Sequence, residues 1–373
     1  MISSLIKFPY KFFKTNILRR FNLPVAPHVV VYKVTNRCNM RCVMCGNFNV
    51  EREPKELTVS ETKDAFRDPC LQRINVIRFT GGEPFIRQDL KYIIDAIQQT
   101  AHPKLFFITS NGTLYERMED LIKYVVPKGV ALNIQVSLDA LGEEHDRIRQ
   151  VKGAGDLVKE NLLRLNRLRD EYKFFIGVNQ TVSKINLTKI KEVNAFCKKN
   201  NFVHMFILAS KYHESNEMTD FKDFNTKFEL YEPISKEGLR SFYDILDEIE
   251  KNSHPRTFYE WLRHSTENYI HYHAKNRLLK SYLSPLPKCM AYFNYIRIMP
   301  DGSVIPCTLR SDLSIGNLKD QPFSRMWRSA AAGRGREAVR QCPGCWVQCD
   351  IVPSIPFSPH FYKWIFSNRI KNS

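Results

Sequence analysis

The chain has 373 residues, 43% hydrophobic and 25% charged, with 56 Lys and Arg against 39 Asp and Glu for a formal net charge of +17. It can bury a large core and still hold a smaller module, which excludes disorder over most of its length. No run approaches the roughly twenty apolar residues of a membrane span. Nor does a helix-turn-helix or RNA-recognition signature accompany the charge, so no nucleic-acid partner is expected. Ten cysteines could form five disulfides, but no secretory h-region with a small-residue cleavage site is present. A cytoplasmic, reduced chain is the expectation, and clustered cysteines there point to metal.

In chain order, residues 8–21 read as a helix with Pro9 in its first turn. Lys7, Lys11 and Lys14 fall along one side, and Phe13, Ile17 and Phe21 along another. The tail, Phe361-Tyr-Lys-Trp-Ile-Phe366 with Arg369 and Lys371, has the same basic and aromatic composition. Two readings stand: these ends cap the core or mediate dimerisation, or they lie at a membrane surface as a peripheral contact. Between residues 28 and 210, short β-rich runs alternate with amphipathic stretches, the βα pattern of a parallel sheet. Strands are predicted over 29–34, 76–79, 105–109, 130–137, 174–182 and 203–208, with helices including 89–99, 116–125, 156–169 and 187–199. An insert over 211–287 is predicted helical at 236–251 and 258–282, and 295–307 reads as a hairpin turning at Pro300-Asp301-Gly302.

The marked motifs fall just after predicted strands: Cys38-Asn-Met-Arg-Cys42-Val-Met-Cys45, Gly81-Gly82-Glu83-Pro84, Ser110-Asn111-Gly112 and Leu138-Asp139. Ligands of parallel α/β sheets bind outside those strand ends. A Cys-x3-Cys-x2-Cys loop offers three thiolates where a closed tetrahedral zinc or cubane site takes four, so a metal held there keeps one position open. A partial zinc knuckle or plain buried thiols are the alternatives. Gly81 and Gly82 let backbone come close to a ligand, and Glu83 can accept a charge-assisted bond from an ammonium group. A second group, Cys289, Cys307, Cys342-Pro-Gly-Cys345 and Cys349, suits a four-thiolate site, either iron–sulfur or a zinc ribbon. Cys70 and Cys197 read as core thiols.

The cysteine loop with its downstream Gly-Gly-Glu resembles the radical S-adenosylmethionine (radical SAM) enzymes. The resemblance implies an α/β fold, a partial (β/α)6 TIM-like barrel. It also implies a [4Fe–4S] cluster on Cys38, Cys42 and Cys45 whose fourth iron is chelated by S-adenosylmethionine, which is cleaved to a 5′-deoxyadenosyl radical that abstracts a substrate hydrogen. By the same resemblance Gly81, Gly82 and Glu83 meet the methionyl amine. Ser137 and Asp139 lie near the methionyl or ribose groups. Arg149, in His145-Asp-Arg-Ile-Arg149, reaches the methionyl carboxylate, and Asn111 and Asn179 contact the nucleoside. The ordinary roles of such residues are a turn for Asn111-Gly112, a cap for Asp139 and a surface charge for Arg149. Met44 stands where the family often has an aromatic.

The C-terminal segment resembles the SPASM and shorter "twitch" domains of that superfamily, through Gly302-x4-Cys307, Ile315-Gly-Asn-Leu318 and Trp327. Only five cysteines are present, so one auxiliary [4Fe–4S] cluster is expected, on Cys289, Cys307, Cys342 and Cys345 with Cys349 spare or alternative. Anaerobic sulfatase-maturating enzymes place an acidic residue after the cysteine of Gly-x4-Cys; Thr308 stands here, which disfavours that assignment. No spacing singles out a catalytic base. The expected division is an N-terminal basic segment (1–27), a radical SAM core (28–210), a helical insert (211–287), an iron–sulfur domain (288–352) and a basic aromatic tail (353–373). The expected activity oxidises or cross-links a small, sugar- or lipid-linked metabolite, with the auxiliary cluster as electron acceptor and a reducing partner such as flavodoxin or ferredoxin. A peptide-modifying maturase and a non-catalytic iron–sulfur electron-transfer protein are the alternatives.

Overall fold

The computed structural model describes residues 2–45, 55–211, 229–230, 234–253, 255, 257–280, 288–342 and 348–371. Helix α1 (Ile2–Arg20) comes first, followed by β1 (Val29–Thr35), α2 (Val59–Phe66), β2 (Val76–Gly81), α3 (Leu90–Ala101), β3 (Leu105–Ser110) and α4 (Tyr115–Val125). Then come β4 (Leu132–Ser137), α5 (Glu143–Arg149), α6 (Ala154–Glu171), β5 (Phe175–Val182), α7 (Ile190–Lys199) and β6 (Val203–Leu208). A two-stranded pair, β7 (Ser210–Lys211) and β8 (Glu229–Leu230), and a hairpin, β9 (Tyr295–Ile298) and β10 (Val304–Ile305), complete the strands. The chain divides into two compact units. One holds Met1–Val25, Ile234–Tyr295 and Ala332–Ser373, and the other holds Ala26–Pro233 and Ile296–Ala331.

The larger unit is built on the predicted βα alternation. Strands β1 to β6 lie side by side in chain order and all pair in parallel. Because crossover helices cover such a sheet, its strands need apolar residues on both faces. β1 shows this: Val30, Val31, Tyr32 and Val34 are all buried. α3 supplies the complementary stripe, with Leu90, Ile93, Ile94, Ile97 and Ala101 buried at helical spacing. The sheet stays open, as a partial barrel does, and its order runs β10-β9-β1-β2-β3-β4-β5-β6.

The predicted hairpin forms, and it extends the barrel sheet at the β1 edge. Its turn closes through Met299 N–H to Ser303 O at 2.9 Å, with Gly302 at φ 96°. Only glycine takes that conformation readily, and a Cβ there would lie 2.8 Å from Asn317 Oδ1. α2 and α5 are too short to carry a periodic signal in the sequence. For α2 a cue was present, since Thr58 and Glu61 form a reciprocal capping box.

The smaller unit is mostly helical among its described residues. Tyr269, Ile270, Ile355, Phe361 and Ile365 form its core, drawn from the helices Phe258–Lys280 and Pro359–Lys371 and the turn before the latter. Helix α1 belongs to it: Asn16 Nδ2 donates to Phe357 O at 3.1 Å, and the Phe12 and Tyr362 rings meet edge-on at 5.7 Å. α1 starts at Ile2, earlier than predicted, so Pro9 lies within the helix rather than in its first turn. The helix Lys236–Lys251 matches its prediction. The other insert helix is described to Lys280, and residues 281–287 lie outside the described residues.

Candidate functional site

The carboxyl ends of β1 to β5 carry the marked residues, and backbone contacts fix the first two ends together. Gly82 N–H donates to Thr35 O at 2.9 Å and Glu83 N–H to Arg37 O at 2.8 Å. A Cβ on Gly82 would lie 2.1 Å from Arg37 O, and one on Gly81 2.4 Å from Thr35 O. The glycines thus make room for the backbone that leads into the cysteine loop. A ligand is not what their missing side chains admit.

Glu83 is wholly buried. Its Oε1 accepts from Phe85 N–H at 3.1 Å and Ser110 Oγ at 2.9 Å, and its Oε2 from Asn111 N–H at 2.6 Å. Burial pushes the carboxyl up to about 7 against the pull of these donors. Asn111 in turn donates from Nδ2 to Asn39 Oδ1 at 2.7 Å, and Asn39 Nδ2 donates to Thr113 Oγ1 at 2.9 Å. The third strand end is thereby tied to the loop between Cys38 and Cys42. Ser110 is marked in the sequence only as the first residue of the Ser110-Asn111-Gly112 motif, and Asn39 is not singled out, because a lone serine or asparagine carries no spacing signal.

At the fourth strand end, Asp139 is wholly buried and both its carboxylate oxygens are engaged. Oδ1 accepts from Thr181 N–H at 2.8 Å and Oδ2 from Arg149 Nε at 2.8 Å. Its carbonyl accepts from Gln180 and Asn186, each at 2.8 Å, and its N–H donates to His145 Nδ1 at 3.1 Å. α5 ends at Arg149, capped by Gln150 in a left-handed conformation with φ 58°. This presents the guanidinium to the cysteine loop, with Arg149 Nη1 3.6 Å from Cys42 Sγ. The motif residue Asp146 does different work, accepting at Oδ1 from Gly155 N–H at 2.7 Å near the start of α6. Burial lowers the His145 imidazole to about 4, and the charge of Arg149 acts in the same direction.

Cys42 is buried, and Cys38 and Cys45 are half-buried; all three belong to one small cluster with Met40, Met44, Val151 and Ala154. Burial pushes the Cys38 thiol up to about 11. It raises Cys42 as well, where Arg149 pulls the other way. Among the described residues no three His, Cys, Asp or Glu side chains converge tightly enough to grip a metal ion. The donor set nevertheless fits an iron–sulfur cluster with a polar ligand: three soft thiols, a guanidinium beside the middle one, and two buried acceptors nearby in the fold, Asn36 Oδ1 and Asn179 Oδ1, that no described donor satisfies. Asn179 pairs in register with the half-buried Ser137 at the end of β4.

The second cysteine group divides between the units. Cys289 and Cys342 are in the smaller unit, Cys307 is in the larger one, and Cys345 lies outside the described residues. Cys349 falls in the short helix Gln348–Ile351. Cys289 is buried, and its segment is pinned by Met290 N–H donating to Ser354 Oγ at 2.9 Å and Asn294 Nδ2 to Pro353 O at 2.6 Å. Burial lowers the Arg19 guanidinium of α1 from its ordinary range, and Cys289 and Cys342 act in the opposite direction. Among the described residues, none of the cysteines at positions 38, 42, 45, 70, 197, 289, 307 and 342 forms a disulfide.

The radical SAM superfamily model matches residues 32–183, and the SPASM iron–sulfur cluster-binding domain model matches residues 289–350. The chain is a radical SAM protein with a C-terminal SPASM domain. It is 26% identical over 323 residues to the AdoMet-dependent heme synthase of Methanosarcina barkeri, covering 83% of this chain and 84% of that protein. It is 25% identical over 281 residues to a GTP 3′,8-cyclase of Clostridium botulinum, covering 74% and 79%. Among solved structures, anSMEcpe with bound AdoMet superposes with a TM-score of 0.61 at 16% identity over 93% of this chain and 98% of that one. Streptococcus suis SuiB bound to S-adenosylmethionine gives 0.60 at 15% identity, over 87% and 70%. The radical SAM domain implies a [4Fe–4S] cluster with S-adenosylmethionine, and the SPASM domain implies auxiliary iron–sulfur chemistry.

Two measurements test this geometry. Since the folded pKa of His145 lies below the ordinary 6.5, the folded state binds fewer protons than the unfolded one between about pH 4 and 6.5. Its contribution is full above pH 6.5 and is lost as pH falls through that window, at on the order of 1 kcal/mol per pH unit. Denaturant unfolding at pH 7.5 and 5 should show this slope, and His145→Gln should flatten it. Separately, Arg149→Gln strands the buried Asp139 carboxylate and should cost about 3–5 kcal/mol. Adding Asp139→Asn should recover part of that loss, whereas simple additivity of the two would contradict the pairing.

Proposed function

We propose that this radical SAM protein oxidises or cross-links a small metabolite, free or attached to a sugar or lipid, and passes the electron left after hydrogen abstraction to one auxiliary [4Fe–4S] cluster. The observation that carries the catalytic part is the bridge from buried Asp139 through Arg149 to Cys42. It joins the fourth strand end to the cysteine loop at the place where a bound carboxylate would need a cation. When bound, the cluster and S-adenosylmethionine supply a 5′-deoxyadenosyl radical; the chain holds and orients them. In this reading Cys38, Cys42 and Cys45 ligate the catalytic cluster. Arg149 faces the methionyl carboxylate, and Asp139 holds Arg149 in place. Ser137, Asn111 and Asn179 border the nucleoside, and Gly81, Gly82 and Glu83 shape the wall nearest the amine.

Cys289, Cys307, Cys342 and Cys345 ligate the auxiliary cluster, with Cys349 as the alternative. With four thiolates it has no open iron, which suits electron transfer rather than substrate chelation. A flavodoxin- or ferredoxin-type donor supplies the reducing electron. The linear division at residues 27, 210, 287 and 352 is proposed as the functional one, with the five segments distributed over the two compact units. Small-molecule substrates are favoured because the sequence relatives reported above are named for heme and GTP chemistry. The maturase reading keeps one point in its favour, since SuiB was also solved bound to its precursor peptide SuiA.

Anaerobic reconstitution followed by S-adenosylmethionine and reductant should yield 5′-deoxyadenosine and about eight irons per chain. The Cys38/Cys42/Cys45 triple-alanine variant should lose about half the iron and all cleavage. No 5′-deoxyadenosine from a protein with its full iron content would leave the electron-transfer reading instead.

A further inference from the structure

Helix α1 exposes a stripe of large apolar side chains. The side chains it turns toward its own unit include Thr15, 1% exposed, and Asn16, whose Nδ2 bonds Phe357 O. Arg19 lies on the same side and stacks over the Phe293 ring at 5.7 Å. Four of its apolar side chains nevertheless face water, Tyr10 at 65% exposed, Phe13 63%, Ile17 54% and Phe21 66%, while Phe12 turns inward against Tyr362. At 100° per residue these four positions fall within one narrow stripe. Phe21 stays on it because its N–H still bonds Ile17 O, and the left-handed Asn22, tied to Gly333 O at 3.2 Å, ends the turn. On the neighbouring helix Pro359–Lys371, Phe366 is 59% exposed. Exposing four large apolar residues in one stripe departs from the arrangement of an ordinary surface helix, and monomers rarely show such a patch beyond a few hundred Å².

The charge around the stripe selects its occupant. Residues 1–50 contain no Asp or Glu, while Lys11, Lys14 and Arg20 flank the stripe; residues 351–373 also lack acidic side chains and carry Lys363, Arg369 and Lys371. Lys14 packs its ammonium 5.5 Å from the Tyr10 ring, so cation and aromatic lie together. An aromatic and aliphatic stripe bordered only by cations matches the headgroup boundary of an anionic bilayer, with rings at the acyl edge and ammonium groups at the phosphates. A second copy of this helix would instead bring like charges together. No helix among the described residues is long and apolar enough to span a bilayer.

We propose that the exposed stripe of α1 is a peripheral membrane-docking surface for anionic phospholipid. This deepens the lipid-linked branch of the proposed function and rests on it only for its purpose, since the surface itself is argued from exposure and charge.

The test uses the full, cluster-loaded chain with vesicles of phosphatidylcholine alone or mixed with phosphatidylglycerol. The wild type should float with the mixed vesicles, stay largely free of the neutral ones, and be released by salt. The Phe13→Glu/Ile17→Glu variant changes only exposed side chains. It should keep its iron content, melting temperature and 5′-deoxyadenosine formation in solution while losing on the order of tenfold or more in vesicle binding. Equal flotation of variant and wild type would overturn the proposal. So would a wild type that ignores vesicles and is a dimer by light scattering that the variant splits. Flotation without 5′-deoxyadenosine would sink the catalytic reading and leave the membrane surface standing.

Discussion

The buried ion pair between Asp139 and Arg149 is the contact on which the site depends. An aspartate with no exposed surface is tolerable only if its charge is answered. Here the answer comes from two elements, β5 through Thr181 N–H and α5 through Arg149, while Asn186 in the segment after β5 bonds the Asp139 backbone carbonyl. Arg149 is thereby held without freedom to seek solvent, and its remaining face meets Cys42. The second anchor, Glu83, does the same for β2 and β3 with neutral donors alone. Two buried carboxylates thus fix the strand ends against which the cysteine loop rests, before any cofactor binds.

Much of this was legible in the sequence, for identifiable reasons. The six strands showed because each is an apolar run of about the length that spans a parallel sheet. The motif positions showed because chemistry on such sheets gathers at carboxyl ends. The cysteine loop is read by spacing, which three-dimensional packing does not alter. What stayed hidden depends on partners distant in sequence. Nothing in the Gly81-Gly82 pair says that the backbone it admits is Thr35 to Arg37, or that Ser110 and Asn39 complete the network. Asp139 gave no sign that both its oxygens are engaged by the protein. The placement of the 295–307 hairpin on the β1 edge was likewise unreadable, because a hairpin's own sequence fixes its turn but not the strand it joins.

The two ends of the chain illustrate the same limit from the other side. Composition named α1 as basic and amphipathic, but periodicity cannot tell which face packs on protein. The structure turns Thr15 and Asn16 inward and leaves Phe13 and Ile17 in water, which shifts the balance between core cap and external surface. On the same helix, burial lowers the Arg19 guanidinium and Cys289 and Cys342 act in the opposite direction. A segment that lies outside the matched radical SAM residues therefore contributes charge to the smaller unit's cysteines, and does so from the face opposite its exposed stripe.

The central claim is that one iron of the Cys38, Cys42 and Cys45 cluster is left open for S-adenosylmethionine while the auxiliary cluster is closed. Mössbauer spectroscopy of the chain reconstituted with 57Fe, recorded with and without S-adenosylmethionine, addresses it directly. A single site, about one eighth of the iron signal, should change its isomer shift on addition, and the change should vanish in the Cys38/Cys42/Cys45 variant. A spectrum indifferent to S-adenosylmethionine, or one whose responding iron survives removal of those three cysteines, would contradict the account.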